Sequence, residues 1–283
     1  MRHTERELKE FARKIRVGIV ESIYHKGGGH IGGSLDLAEL LAVLYDEVLR
    51  VCPEKPDWPE RDYVVCSKGH AGPAMYATLA LKGFFPYELL NTLKRGGTTL
   101  HGHCDRMKVP GIDATTGSLG QGLSIACGLA MGSKIAKTEQ RTYCILGDGE
   151  LAEGQNWEAA QFAAHYQLNN LIAFLDWNKK QIDGTNDEVM KLGDVVGKFE
   201  KFGWNACLID GSNISAIYSA VQSANQSIQK PSLIVLDTVK GGNISCIASL
   251  DNNHCIGLNK ELADRALAEL KAQTDSLNAE GNQ

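Results

Sequence analysis

The chain has 283 residues, 43% of them hydrophobic and 22% charged, the composition of a soluble globular protein with ample apolar surface for a core. A net charge of −5 speaks against a nucleic-acid or anionic-membrane partner, since both need a basic footprint, and no apolar run reaches the roughly 20 residues that span a bilayer. Eight cysteines are scattered without a CxxC pair, the usage expected of reduced, mostly buried thiols in the cytoplasm.

Residues 4–24 carry the amphipathic period of a helix and lack the apolar core of a signal peptide. A glycine-rich break follows, KGGGHIGG at 26–33. LDLAELLAVLYDEVL, 35–49, predicts a second helix, DYVVCS at 62–67 a buried strand, and HAGPAMYATLAL at 70–81 a helix. From 119 to 137, LGQGLSIACGLAMGSKIAK predicts a helix with a small-residue face. Strands are expected at TYCIL (142–146), LIAFLD (171–176), ACLID (206–210) and SLIVLDTV (232–239). Helices alternate with them at 156–167, 194–202 and 214–226. Short continuous apolar strands alternating with helices define an α/β fold, a parallel sheet with helices on both faces. No linker divides 1–270, which reads as one domain, and 271–283 reads as a polar, loose C-terminal tail.

In such a sheet, ligands bind beyond the carboxyl ends of the strands. The loop GDGELAEG, 147–154, sits at one of those ends, and the next strand runs into Asp176 and Asn178. If the two strands are neighbours, Asp148 and Asn178 lie side by side. Both are hard oxygen donors suited to Mg²⁺ or Ca²⁺. Two side chains leave an octahedron incomplete, and Mg²⁺ usually fills it with water, a backbone carbonyl and phosphate oxygens. The pair therefore implies a phosphate ligand, which the glycines beside Asp148 would let the backbone approach. Within GDG alone, Asp148 better suits a helix cap at a tight turn; EG, WEA and the D-x-N thirty residues on turn the balance to the metal. Glu153 and Glu158, at the start of a helix, suit the macrodipole. His3, His25 and His165 fall in helix patterns, whereas His30, His70 and His103 each follow a glycine in a loop.

The series GDG–EG–WEA–NNL–D-x-N resembles the thiamine diphosphate motif, and more narrowly that of the transketolase family. GGGHIGGSLDLAELLAVLY, SKGHAGPAMYATL and HGH–TTGSLGQGLSIACGLA resemble further transketolase blocks, in order, from about residue 10 to 270. The resemblance implies Mg²⁺ (with Ca²⁺ or Mn²⁺ as substitutes) held by Asp148, Asn178 and the carbonyl of Lys180. It implies cofactor contacts at His70, Gly117, Ser118, Leu119 and Gly149. Lys240 and His254 match a late Lys…His pair near thiazolium and substrate, in a block that departs from the family: NHCIG stands where members often read WHG. His30, His103 and His254 would donate to sugar oxygens and move protons near pH 7. Glu153 would join an acidic proton path between cofactor sites across a dimer interface. His101 and His103 form H-x-H, which on a strand would face one side and suit a metal; with no third soft ligand nearby, zinc is the second reading, behind His103 as substrate contact and His101 as its support. Cys104 and Asp105 receive no role.

The implied activity is transfer of a two-carbon ketol unit from a ketose phosphate to an aldose phosphate, pentose phosphates by default, with branched or sulfonated sugars equally compatible. Full-length members carry a second α/β domain that binds the aminopyrimidine and supplies its activating glutamate. A chain of this length has no room for it. The expectation is the N-terminal subunit of a split transketolase, completed by a separate C-terminal subunit in a two-plus-two heterotetramer. Two alternatives remain: the α subunit of a 2-oxo acid dehydrogenase, disfavoured by GHIGGS, SKGH and TTGSLGQG, and a non-catalytic homologue, disfavoured by intact Asp148, Asn178 and His70.

Overall fold

A computed structural model describes residues 1–280. The first helix, α1 (Glu5–Lys26), begins with a capping box in which the Thr4 side chain and Glu7 satisfy each other's backbone N–H groups. A two-residue strand β1 (Gly28–Gly29) follows, then α2 (Gly32–Leu35) and α3 (Ala38–Val43). The single helix expected over 35–49 is therefore broken at Asp36 and Leu37, and beyond Val43 it widens into one looser turn at Leu44–Val48. The break has a cause: the Asp36 carboxylate is tied to residues far along the chain.

The remaining elements follow the expected order. They are β2 (Tyr63–Cys66), α4 (Gly72–Leu81), α5 (Gln121–Ala136), β3 (Thr142–Gly147), α6 (Gly154–His165), β4 (Leu171–Trp177), α7 (Asn186–Val189), α8 (Val195–Lys201), β5 (Asn205–Asp210), α9 (Ile214–Asn225), β6 (Ser232–Asp237), α10 (Ser245–Ala248), β7 (Ile256–Gly257) and α11 (Lys260–Glu280). Asp194 and Asn213 cap α8 and α9 with their side chains.

Five strands form one parallel sheet in the order β2-β3-β4-β6-β5. Successive residues alternate faces. Tyr143, Ile145, Ile172, Phe174, Ile234 and Leu236 point into a core shared with Ile15 and Ile19 of α1, Leu41 of α3, Met75 of α4 and Val221 of α9. Cys144, Leu146, Ala173, Leu175 and Val235 point the other way, against Leu123 and Ala126 of α5, Ala160 of α6 and Phe199 of α8. Burial on both faces explains why the strands read as unbroken apolar runs. The exception is β5, an edge strand on which Leu208 is 56% exposed.

Two sequence expectations need correction. The tail expected from 271 lies within α11 as far as Glu280, because KELADRALAELKAQ consists largely of strong helix formers; residues 281–283 lie outside the described residues. Residues 101–103 are not in a strand, so H-x-H does not present two rings to one side. His101 turns toward Asp105, 3.5 Å away, while His103 lines an internal cavity.

Candidate cofactor and metal site

In the register of β3 and β4, Gly147 is paired with Asp176. The residues that follow, Asp148 and Asn178, thus leave the sheet side by side, and β2 and β6 end alongside them. Beyond these four strand ends lies a cavity of about 310 Å³. It brings together His30, His70, His103, Gly117, Leu119, Asp148, Gly149, Asn178, Lys180, Lys240 and His254. Ser118 and Glu153 do not line it; both are exposed. A larger cavity, about 500 Å³, opens beyond β5 and β6 but holds none of the expected residues.

Asp148 is held on both oxygens. Its Oδ1 accepts from the Gly149 N–H at 2.8 Å, and its Oδ2 accepts from the Lys179 N–H at 2.7 Å and the Asn186 amide at 2.8 Å. Burial, and next the charge of Asp176, raise its carboxyl above the usual range. Lys240 Nζ donates to the Lys180 carbonyl at 2.6 Å, and burial holds its ammonium below the ordinary lysine range.

Four histidine rings form one cluster. The ring centre of His30 lies 5.4 Å from that of His70, 6.1 Å from His103 and 5.3 Å from His254, and His70 lies 4.9 Å from His254. Burial, reinforced by Lys94 and His103, lowers His30 to about 4. Burial, then Lys68, takes His70 to about 2, and burial, then Lys240, takes His254 to about 3. His103 is lowered as well, by burial first and then Lys94. All four are thus shifted toward the neutral form.

The divergent NHCIG block reaches the cluster through a short antiparallel ribbon in which Gly28 pairs with Gly257 and Gly29 with Ile256. The Gly32 N–H donates to the Asn253 carbonyl at 3.0 Å, and a Cβ on Gly32 would fall 2.5 Å from that oxygen. Only glycine permits this approach. The Asn253 side chain then donates to the Lys240 carbonyl at 2.7 Å. The loops bearing His30, Lys240 and His254 are thereby fastened to one another.

Two further residues escaped the sequence reading. Glu150 is 2% exposed; its Oε1 accepts from the Ser67 hydroxyl and, at 2.9 Å, from the Gly120 N–H, and its Oε2 from the Gly147 N–H at 3.0 Å. It joins the SKGH, TTGSLGQG and GDG loops. Lys68, inside SKGH, is buried and paired with Asp176. Burial pulls its ammonium down, but Asp176 and Asp36 outweigh burial and leave it raised. A lysine between a strand and a Gly-His pair, and an aspartate closing an apolar strand, were the available signals.

The site suits the group the sequence implies. Asp148, Asn178 and the Lys180 carbonyl offer a carboxylate, an amide and a carbonyl oxygen, the donor chemistry of Mg²⁺. His254 Nδ1 is buried without a hydrogen-bond partner among the described residues, as a ligand-facing atom would be. Among the described residues no group of three or more His, Cys, Asp or Glu is placed to hold a metal, so the zinc reading of H-x-H has no ligand set.

Fold and site together define an α/β domain with a cavity on the strand ends of its parallel sheet, the place where such folds bind ligands. Residues 8–273 match the family described as transketolase, thiamine diphosphate binding domain, and the chain belongs to that family. It is 48% identical over 267 residues to a 6-deoxy-6-sulfo-D-fructose transketolase subunit of Clostridium sp. (strain MSTE9), covering 94% of this chain and 97% of that one. It is 38% identical to an apulose-4-phosphate transketolase subunit of Phocaeicola vulgatus, covering 96% of each. The crystal structure of transketolase from Campylobacter jejuni superposes with a TM-score of 0.89 at 30% identity, over 95% of this chain but 43% of that one. The chain is a transketolase-type enzyme subunit.

Proposed function

We propose that the chain is the diphosphate-binding subunit of a two-chain transketolase that transfers a two-carbon ketol unit between sugars. One observation carries this reading: Asp148, Asn178 and the Lys180 carbonyl share a cavity with four clustered histidines at the carboxyl ends of β2, β3, β4 and β6. Asp148, Asn178 and Lys180 would hold Mg²⁺, and with it the diphosphate of the cofactor. Gly117, Leu119, Gly149 and His70 would position the cofactor, with Ser118, outside the cavity, joining Gly117 to Leu119. Once bound, thiamine diphosphate supplies the carbon nucleophile that carries the ketol unit. His30, His103 and His254, shifted toward the neutral form, can accept a proton from a sugar hydroxyl and return it to an alkoxide.

The substrate we propose is a ketose with an anionic tail, with 6-deoxy-6-sulfofructose as the first donor to test, on the strength of the 48% relative. Apulose 4-phosphate and pentose phosphates are the next. The partner is a separate C-terminal subunit in a two-plus-two assembly. Exposed Ile125 on α5, Phe162 on α6 and Tyr166 just after it fit contact with another chain, and exposed Glu153 would lie at that contact. Eight cysteines without a disulfide fit a reducing, cytoplasmic setting.

Substitution of Asp148 tests the metal assignment. In the assembled complex, Asp148→Ala should abolish Mg²⁺-dependent retention of thiamine diphosphate through gel filtration, and unchanged retention would refute it. A donor panel assayed with the partner subunit separates the sugars, and turnover of 2-oxo acids with CO₂ release would favour the dehydrogenase alternative.

A further inference from the structure

An asparagine that binds a metal must present its oxygen, yet its amide group is nearly symmetric in shape. Two carboxylates face the nitrogen of Asn178. Its Nδ2 donates to Asp36 Oδ2 at 3.0 Å and to Asp176 Oδ2 at 2.8 Å. Reversing the amide would set its oxygen against both carboxylates; as placed, Oδ1 lies on the opposite side, where it accepts from the Lys180 N–H at 3.2 Å.

The two carboxylates are themselves fixed. Asp176 accepts from the Thr238 hydroxyl at 2.6 Å and is paired with buried Lys68. Asp36 accepts on its other oxygen from the Gly241 N–H at 2.7 Å. Asp36 is 4% exposed and sits where the expected helix 35–49 breaks. Its two hydrogen bonds join the helical N-terminal segment to Asn178, after β4, and to the residue that follows Lys240. Asp176 would sit in this place near the end of β4; Asp36 comes from 142 positions away in sequence, and besides these two hydrogen bonds it shares the field of Lys68 and Lys240.

We infer that Asp36 is a positioning residue for the metal site: with Asp176 it clamps the amide of Asn178 so that its oxygen faces the cation. This rests on the assignment of Asn178 as a metal ligand. Partners one step behind the ligands typically change metal affinity about 10–100-fold when removed.

The test is an electron paramagnetic resonance titration of Mn²⁺ into the assembled complex with thiamine diphosphate. Melting of each variant without metal establishes that it is folded. Asp36→Asn keeps the shape but sets an amide between two donors, Asn178 Nδ2 and the Gly241 N–H; Mn²⁺ affinity should fall about 10–100-fold. Asn178→Asp puts a carboxylate against Asp36 and Asp176 and should lose Mn²⁺ binding; adding Asp36→Asn to it supplies a facing donor and should recover part of the loss. A spacer role for Asp36 predicts neither the loss nor the recovery. Should Asp36→Asn fail to fold, Thr238→Val, which frees one oxygen of Asp176 to turn, should weaken Mn²⁺ binding in the same direction, and unchanged affinity there would overturn the clamp. If the unaltered complex binds no Mn²⁺, the metal assignment itself is wrong. If it binds and Asp36→Asn binds equally well, only the clamp is refuted.

Discussion

At the scale of single residues, the four clustered histidines have a consequence for folding as well as for chemistry. An unfolded histidine titrates near 6.5, whereas burial holds His30 at about 4 and His254 at about 3. Between those limits the unfolded chain binds protons that the folded chain refuses. Stability from these groups is therefore whole above pH 6.5 and falls as the pH drops through the window toward 3–4. Asp148 and Glu150, raised by burial, act in the opposite sense, but they are common to all variants and cancel in a comparison. Urea denaturation at pH 7 and pH 5 should show a smaller loss for His30→Asn and for His254→Asn than for the unaltered chain, and equal losses would contradict the buried, neutral cluster. The glycine-flanked positions of His30, His70 and His103 made them legible in the sequence, as did the D-x-N spacing for Asn178. Asp36 was not legible, because a polar residue at the start of an apolar helix pattern reads as an exposed position until residues 178 and 241 are brought to it.

At the scale of elements, loop junctions carry the site, and one carboxylate holds three of them. Removing Glu150 strands the N–H groups of Gly120 and Gly147 and the Ser67 hydroxyl in a buried setting. Each such group costs about 1–3 kcal/mol, offset in part because the cost of burying the carboxylate itself disappears, so Glu150→Ala should lower unfolding free energy by about 2–4 kcal/mol, measured by urea denaturation; a loss below about 0.5 kcal/mol would show that the loops hold without it. Helix α5 meets the end of β2 at Gly122, where an added Cβ would lie 2.2 Å from Ser67 Oγ and 2.6 Å from its Cα. Gly122→Ala should cost about 1–3 kcal/mol and displace the same loops, seen as a lower melting temperature together with weaker cofactor retention. The five strands and the helices covering them could be read from apolar runs and helical periods. The β1–β7 ribbon could not, since two pairs of residues, three of the four glycine, carry no strand pattern. Its existence depends on a backbone approach more than two hundred residues apart.

At the scale of the whole molecule, the chain in its proposed role provides one side of a reaction site. Asp148, Asn178, Lys180, Gly117, Leu119, Gly149 and the four clustered histidines line one cavity at one end of the sheet, while exposed apolar residues on and next to α5 and α6 leave a surface suited to another chain. The parallel architecture and the location of its site follow from the alternation of strands and helices, and the subunit reading follows from relatives of matching length. The most direct measurement is a ketol-transfer assay with thiamine diphosphate, Mg²⁺, 6-deoxy-6-sulfofructose and an aldose phosphate acceptor, run on this chain alone, on its C-terminal partner alone and on the two mixed. Transfer should occur in the mixture and in neither half. Transfer by this chain alone would contradict the account, as would a mixture that forms the complex but stays inactive with every ketose of the donor panel.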